Sequence, residues 1–179
     1  MKRLLSIILI IFCYETLYSQ QITLDFCVGT WEYKNPATGE EFVIKLKKHF
    51  DEIPKGFGGG IKDCLVGGYI HKKNGIIMAD CINQVDENKK AIDFPIMINA
   101  YVNNTFLRIT FIHDFNIKNG YDVSKVIGMP SKITLYSTSP KRIKMEIIPD
   151  EQEEVYLDDR EVFARGTTLP REMILTKVE

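Results

Sequence analysis

Apolar and polar residues alternate in short runs along most of the chain, and turn-forming residues separate the runs. Alternation with period two places apolar side chains on one face of a strand and polar ones on the other. Residues 28–34 alternate, with Gly29, Trp31 and Tyr33 on one face and Thr30 and Glu32 on the other. Residues 35–39, Asn-Pro-Ala-Thr-Gly, form a turn by composition, because proline sets φ and glycine tolerates positive φ. Residues 42–48 alternate again, with Phe42, Ile44 and Leu46 expected inward and Lys45 and Lys47 outward. The two runs predict a hairpin with one buried face.

Asn74-Gly75 is the strongest short hairpin signal and joins 64–72 to 76–83. Asn103-Asn104 joins 94–102 to 105–113, with Pro95 confined to the start or edge of its strand. Ser139-Pro140-Lys141 joins 132–138 to 142–148, where Ile143, Met145 and Ile147 face in and Lys144 and Glu146 face out. A last strand is predicted over 172–178. The glycine-rich stretch 53–63 and the charged stretch 85–93 read as connections. Two longer segments interrupt the meander. Residues 114–131 carry turn formers around a short apolar middle, which suits a lid over one end of a barrel. Residues 149–170 are acidic: Val155, Asp159 and Val162 keep helical spacing, while Glu-Val-Tyr-Leu and Arg-Glu-Val-Phe suit short strands equally. About nine short strands, mostly joined by hairpins, predict an all-β antiparallel up-and-down barrel with little helix. Residues 105–113 are apolar on both faces, Phe106 and Ile112 on one and Leu107, Ile109 and Phe111 on the other. The second face is expected to lie under 149–170 or to meet a partner.

Composition adds compartment and excludes some chemistry. At 45% hydrophobic and 26% charged residues the chain reads as a folded globule, and 179 residues suit one domain. Lys2 and Arg3 precede an apolar run at 4–12, and Leu17 and Ser19 are placed for cleavage before Gln20. This is the plan of a removed signal peptide, 1–19, followed by a single barrel-like domain, 20–179. The run is too short to cross a bilayer, so no membrane span is expected in the mature chain. The expected location is periplasmic or extracellular. Cys13 raises a lipid-modified N-terminus, against which the bulky Phe12 argues. A net charge of −1 leaves no basic excess for nucleic acid.

Cys27, Cys64 and Cys81 remain after cleavage, an odd number in a disulfide-permissive compartment. A two-residue Asn74-Gly75 turn sets Lys73 opposite Ile76 and Cys81 opposite Gly68. Cys64 and Cys81 then share a face about 13 Å apart along the strand, too far for a bridge. Cys27 is left able to reach either. The spacing fits no zinc pattern. His49, His71 and His113 fall at strand ends as isolated polar residues, and there is no Gly-x-Ser-x-Gly elbow. Gly58-Gly59-Gly60 leads into a strand rather than a helix and reads as a linker, not a phosphate loop. Gly67-Gly68 inside a strand marks a bulge, a barrel corner or a close approach. The carboxylates Asp150, Glu151, Glu153, Glu154, Asp158 and Asp159 lack EF-hand spacing and read as a solvated face. No catalytic residue, metal ligand or cofactor is assigned.

Gly29-Thr30-Trp31 at the head of the first strand resembles the Gly-x-Trp motif of lipocalins and the wider calycin group. The resemblance implies a barrel with the tryptophan closing one end and an arginine packed on it, for which Arg165 and Arg171 are the candidates. The second lipocalin motif, Thr-Asp-Tyr, and a C-terminal helix are both missing. "GTWEYK", the Phe-x-Ile-x-Leu-x-Lys run at 42–48, "CLVGGYIHKKNG", "LRITFIHD", "SKITLYS" and "LPREMILTK" are similar to a family of small exported Gram-negative proteins of unknown function. That resemblance implies an exported barrel-like fold and no activity. The combined reading is a secreted or periplasmic, non-enzymatic binding protein. Its partner would be a small hydrophobic molecule or another protein, with Trp31, Tyr33, Tyr69 and Phe111 as pocket or core candidates. A solid-cored structural or interaction domain is the alternative, and a hydrolase the third reading.

Overall fold

The computed structural model describes residues 22–53, 60–84, 90–100, 106–113, 131–148, 156–157, 160–161 and 168–178. A short helix, α1 (Leu24–Cys27), is capped by Thr23, whose hydroxyl accepts from the Phe26 N–H at 3.1 Å. Strands follow as β1 (Gly29–Asn35), β2 (Glu40–Ile53), β3 (Gly60–Lys73), β4 (Ile76–Asp80), β5 (Ile96–Ala100), β6 (Leu107–Ile112), β7 (Ser131–Thr138) and β8 (Lys141–Glu146). Two-residue strands β9 (Tyr156–Leu157) and β10 (Arg160–Glu161) pair with each other, and β11 (Glu172–Lys177) ends the sheet. Within 149–170, the pairing of β9 with β10 meets the short-strand expectation; the segment expected as a lid falls outside the described residues, apart from Ser131, the first residue of β7.

The main sheet runs β2-β1-β11-β8-β7-β6-β5-β3, and β2 also pairs with β3, so it closes into an antiparallel barrel. The strand β4 is an addition on the edge of β3 that also carries β5. There, β5 pairs with Leu65–Gly67 and β4 with Ile70–Lys73. Together β4 and β5 act as one wall strand, interrupted by residues 81–95. Counted so, every wall strand neighbours its sequence neighbour, and the meander is up-and-down. The glycine-rich stretch is a connection only in part, because β2 and β3 stay paired out to Ile53 opposite Gly60.

Among the described residues three strands carry one extra residue each, and these bulges decide which side chains face inward. His71 pairs with Ala79 but Lys72 with Ile77, leaving Met78 extra. Ile98 pairs with Ile109 but Met97 with Phe111, leaving Thr110 extra; Leu135 pairs with Ile143 but Ser137 with Arg142, leaving Tyr136 extra. A single inserted residue reverses the inside–outside assignment beyond it. Ile112 therefore joins Leu107 and Ile109 in the core instead of facing away from them. Cys81 likewise turns into the core, with its N–H donating to the Tyr69 carbonyl at 2.9 Å. Cys64, cross-strand from the outward His49, stays on the outer wall. The two thiols do not share a face, as ideal hairpin register implied, and all three described cysteines are free and buried.

The inner face is apolar apart from a few polar groups such as the buried His71. Trp31, Phe42, Ile44, Leu46, Ile143, Met145 and Leu175 belong to one contiguous cluster that draws on every wall strand. Gly67 and Gly68 are close-approach positions: a Cβ would lie 2.0 Å from the Lys45 carbonyl oxygen at Gly67 and 2.0 Å from that of Cys81 at Gly68.

Candidate functional site

The two ends of the barrel are built differently. One end is closed by α1. Gly29 has φ +123°, a backbone that side-chain-bearing residues avoid, and this turns the chain from α1 into β1. The turn brings Trp31 under the helix, where its Nε1–H donates to the Cys27 carbonyl at 2.8 Å and its ring lies 5.8 Å from Phe26. Among the described residues, the cation on the tryptophan is Lys177. Its Nζ sits 5.5 Å from the ring centroid and donates to the Val28 carbonyl at 2.6 Å. Arg171 stands at the far end of β11, where its carbonyl accepts from the Ile147 N–H at 2.8 Å, and Arg165 is outside the described residues. Sequence reasoning missed Lys177 because it searched for an arginine. The strand register Trp31 opposite Lys177 is what delivers it. Cys27, enclosed here, has its thiol pushed up to about 12, first by burial, which Lys177 only partly offsets.

At the opposite end the turns of β1–β2 and β3–β4 meet, with the Asn74 N–H donating to the Gly39 carbonyl at 2.8 Å. The connections from β6 to β7 and from β8 to β11 start and finish at this end as well, since Ser131 Oγ accepts from the Ile148 N–H at 3.2 Å. Among the described residues no helix crosses it. Its inner face is aromatic. Tyr33 pairs with Phe42 across β1–β2, and Phe42 stacks on Tyr69 at 5.0 Å with 22° between the rings. His71, buried, follows at 6.3 Å from Phe42. Tyr69 Oη donates to the His113 carbonyl at 2.5 Å, tying β3 to the end of β6. Burial lowers the His113 imidazole to about 4, so it is neutral at neutral pH. Tyr33 and Tyr69 thus flank Phe42 from the strands on either side of β2; by register Tyr33, Phe42 and His71 share one row, and Trp31, Ile44 and Tyr69 the next row towards α1. The side chain of Phe111 is outside the described part. Phe42, expected inward, and His71, expected as an isolated polar residue at a strand end, were not among the pocket candidates.

His49 lies elsewhere, on the outer wall. Its Nε2 is 3.8 Å from Asp51 Oδ2, and Cys64 Sγ donates to its carbonyl at 3.5 Å. The thiol bonds the His49 backbone rather than its imidazole, and burial, reinforced by Asp51 and Asp63, pushes the Cys64 thiol up to about 11. A nucleophilic cysteine needs a lowered value. Among the described residues no three metal-ligating side chains gather.

Residues 1–178 match the model of a family of unknown function (DUF6705). No curated protein and no solved structure matches the chain.

Proposed function

The chain belongs to that family of unknown function, so its role has to be read from its own geometry, and we propose that it is an exported, non-enzymatic binding protein that takes a small apolar molecule at the barrel end opposite α1. The observation that carries this reading is the contrast between the two ends. One is plugged by Trp31 under α1, while the other offers Tyr33, Phe42, Tyr69 and His71 on an apolar inner face. Eight-stranded barrels have room for one small ligand or for their own side chains. An apolar wall with a few polar groups is the usual make-up of a small-molecule site. The signal-like plan of residues 2–19 supports export. The raised thiol of Cys64 supports a role other than covalent catalysis.

A second reading, a solid-cored interaction domain, draws on the contiguity of the inner cluster and on β4. There Ile76, Ile77 and Met78 are 66%, 57% and 46% exposed. Native mass spectrometry of the protein from its own exported fraction separates the two. A bound mass that is lost in a Phe42→Ala, Tyr69→Phe double variant supports the ligand reading. A bare chain, with no mass gained from a panel of fatty acids and aromatic probes, sinks it in favour of the second.

A further inference from the structure

The chain leaves β4 and re-enters the wall as β5 on the same edge of β3, yet in between it reaches β2 on the opposite edge, so it crosses one face of β3. It passes over the outer face. The Ala91 N–H donates to Asp51 Oδ2 on β2 at 2.7 Å, and Ile96 pairs with Gly67 on the far edge of β3. Between these anchors run a 3-10 turn, Ala91–Asp93, and Phe94. The Phe94 ring lies 5.3 Å from that of His49 and 5.5 Å from Lys47 Nζ. The cross-strand partners of His49 and Lys47 are Cys64 and Val66, and both are fully buried. Residues 90–95 thus form a strap across the outer wall.

We propose that Asp51 is the latch of this strap, and that the strap opens as a unit, baring Cys64 and Val66 while the barrel stays closed. Two backbone N–H groups converge on the Asp51 carboxylate, those of Ala91 and Glu52, both at 2.7 Å. Within the strap the bonds are weaker: Asp93 N–H to the Lys90 carbonyl at 2.9 Å and Phe94 N–H to that of Ala91 at 3.4 Å. Phe94, Cys64 and Val66 stand apart from the inner core cluster, so lifting the strap leaves that cluster whole. Opening bares Ala91 and Phe94, which are fully buried, but takes nothing from the inner cluster, so it is a local step rather than a global one.

The charged and titratable groups facing Asp51 are His49 on its own strand, Lys62 and Cys64 on β3, and Lys90 on the strap. The Ala91 N–H above all, then the Glu52 N–H, His49 and Lys90, hold the carboxyl below its ordinary range against its burial. A depressed folded value means that the latch is complete above the ordinary carboxylate range and is lost as pH falls through the folded value.

The test follows each thiol of the full chain by mass spectrometry during labelling with 4,4′-dithiodipyridine, read as the ratio of the Cys64 rate to the Cys81 rate. Both thiols are pushed up to about 11, so ionisation largely cancels in the ratio. Removing a bond to a charged acceptor in Asp51→Ala should raise the ratio roughly ten-fold or more at pH 7. In the unsubstituted chain the ratio should climb as the pH is lowered, and in Asp51→Ala it should stay level. An unchanged ratio in the variant overturns the proposal. So does joint acceleration of Cys27, Cys64 and Cys81, which would mean global opening. Should the variant not fold, a ratio in the unsubstituted chain that stays constant with pH overturns it equally.

Discussion

At the scale of single residues, the plugged end depends on a backbone torsion as much as on a ring. Gly29 supplies the positive φ that lets Trp31 reach the Cys27 carbonyl, and the Lys177 ammonium sits over the ring. Truncating a fully buried tryptophan leaves a cavity as well as losing transfer energy. Trp31→Ala should therefore cost about 3–5 kcal/mol in urea unfolding followed by circular dichroism. Lys177→Met keeps the stem and loses one hydrogen bond, and should cost about 1–3 kcal/mol. A cost for Trp31→Ala no larger than for Lys177→Met would refute the plug. Gly67 and Gly68 make a separate case, because the obstacle to a Cβ is backbone and cannot swing aside. Gly67→Ala and Gly68→Ala should each destabilise by about 1–3 kcal/mol or more, and a neutral result in thermal melts would show that β3 can shift away from Lys45 or Cys81.

At the scale of elements, the bulges set the pattern of the wall. Met78, Thr110 and Tyr136 each add one residue to one strand, and the strand beyond each presents its other face to the core. Met78 itself is largely outside, so its side chain matters little while its presence matters a great deal. Met78→Glu should change stability by no more than about 0.5 kcal/mol, as for other surface substitutions. Deleting Met78 should instead move Ala79 and Cys81 out of the core and abolish the cooperative melt. A deletion variant that melts like the parent would mean that the register of β3 and β4 is not set there.

At the scale of the whole molecule, closure of β2 on β3 joins every strand of the wall to two neighbours, and the titrating groups buried by that closure shape the pH response. His113 is lowered by burial to about 4 from 6.5, so its contribution is present above the unfolded value and is lost as pH falls from 6.5 towards 4. The thiols behave oppositely. Cys27 is raised by burial from 9.0 to about 12, and Cys64 and Cys81 to about 11, so stability is present below 9.0 and lost as pH rises beyond it. Urea midpoints should form a plateau between about pH 6.5 and 9 and fall on both sides. In each Cys→Ala variant the alkaline slope should be shallower by up to about 1.4 kcal/mol per pH unit, one proton's worth. Slopes identical to the parent in all three variants would contradict buried, protonated thiols.

The alternating runs by themselves determined that the chain is an all-β barrel, where most hairpins turn, and that Phe42, Ile44, Leu46, Ile143, Met145 and Ile147 face inward. Each of these follows from local periodicity and turn chemistry, which a linear sequence carries. The tertiary structure alone decided the rest. A bulge is one residue in an otherwise regular run and leaves no mark on composition, yet it sent Ile112 and Cys81 into the core. The cation over Trp31 comes from a strand well over a hundred residues away, set by register between β1 and β11 rather than by any motif. The strap over Cys64 exists because the chain between β4 and β5 reaches across β3 to Asp51 on β2, a contact that no local pattern in the sequence marks.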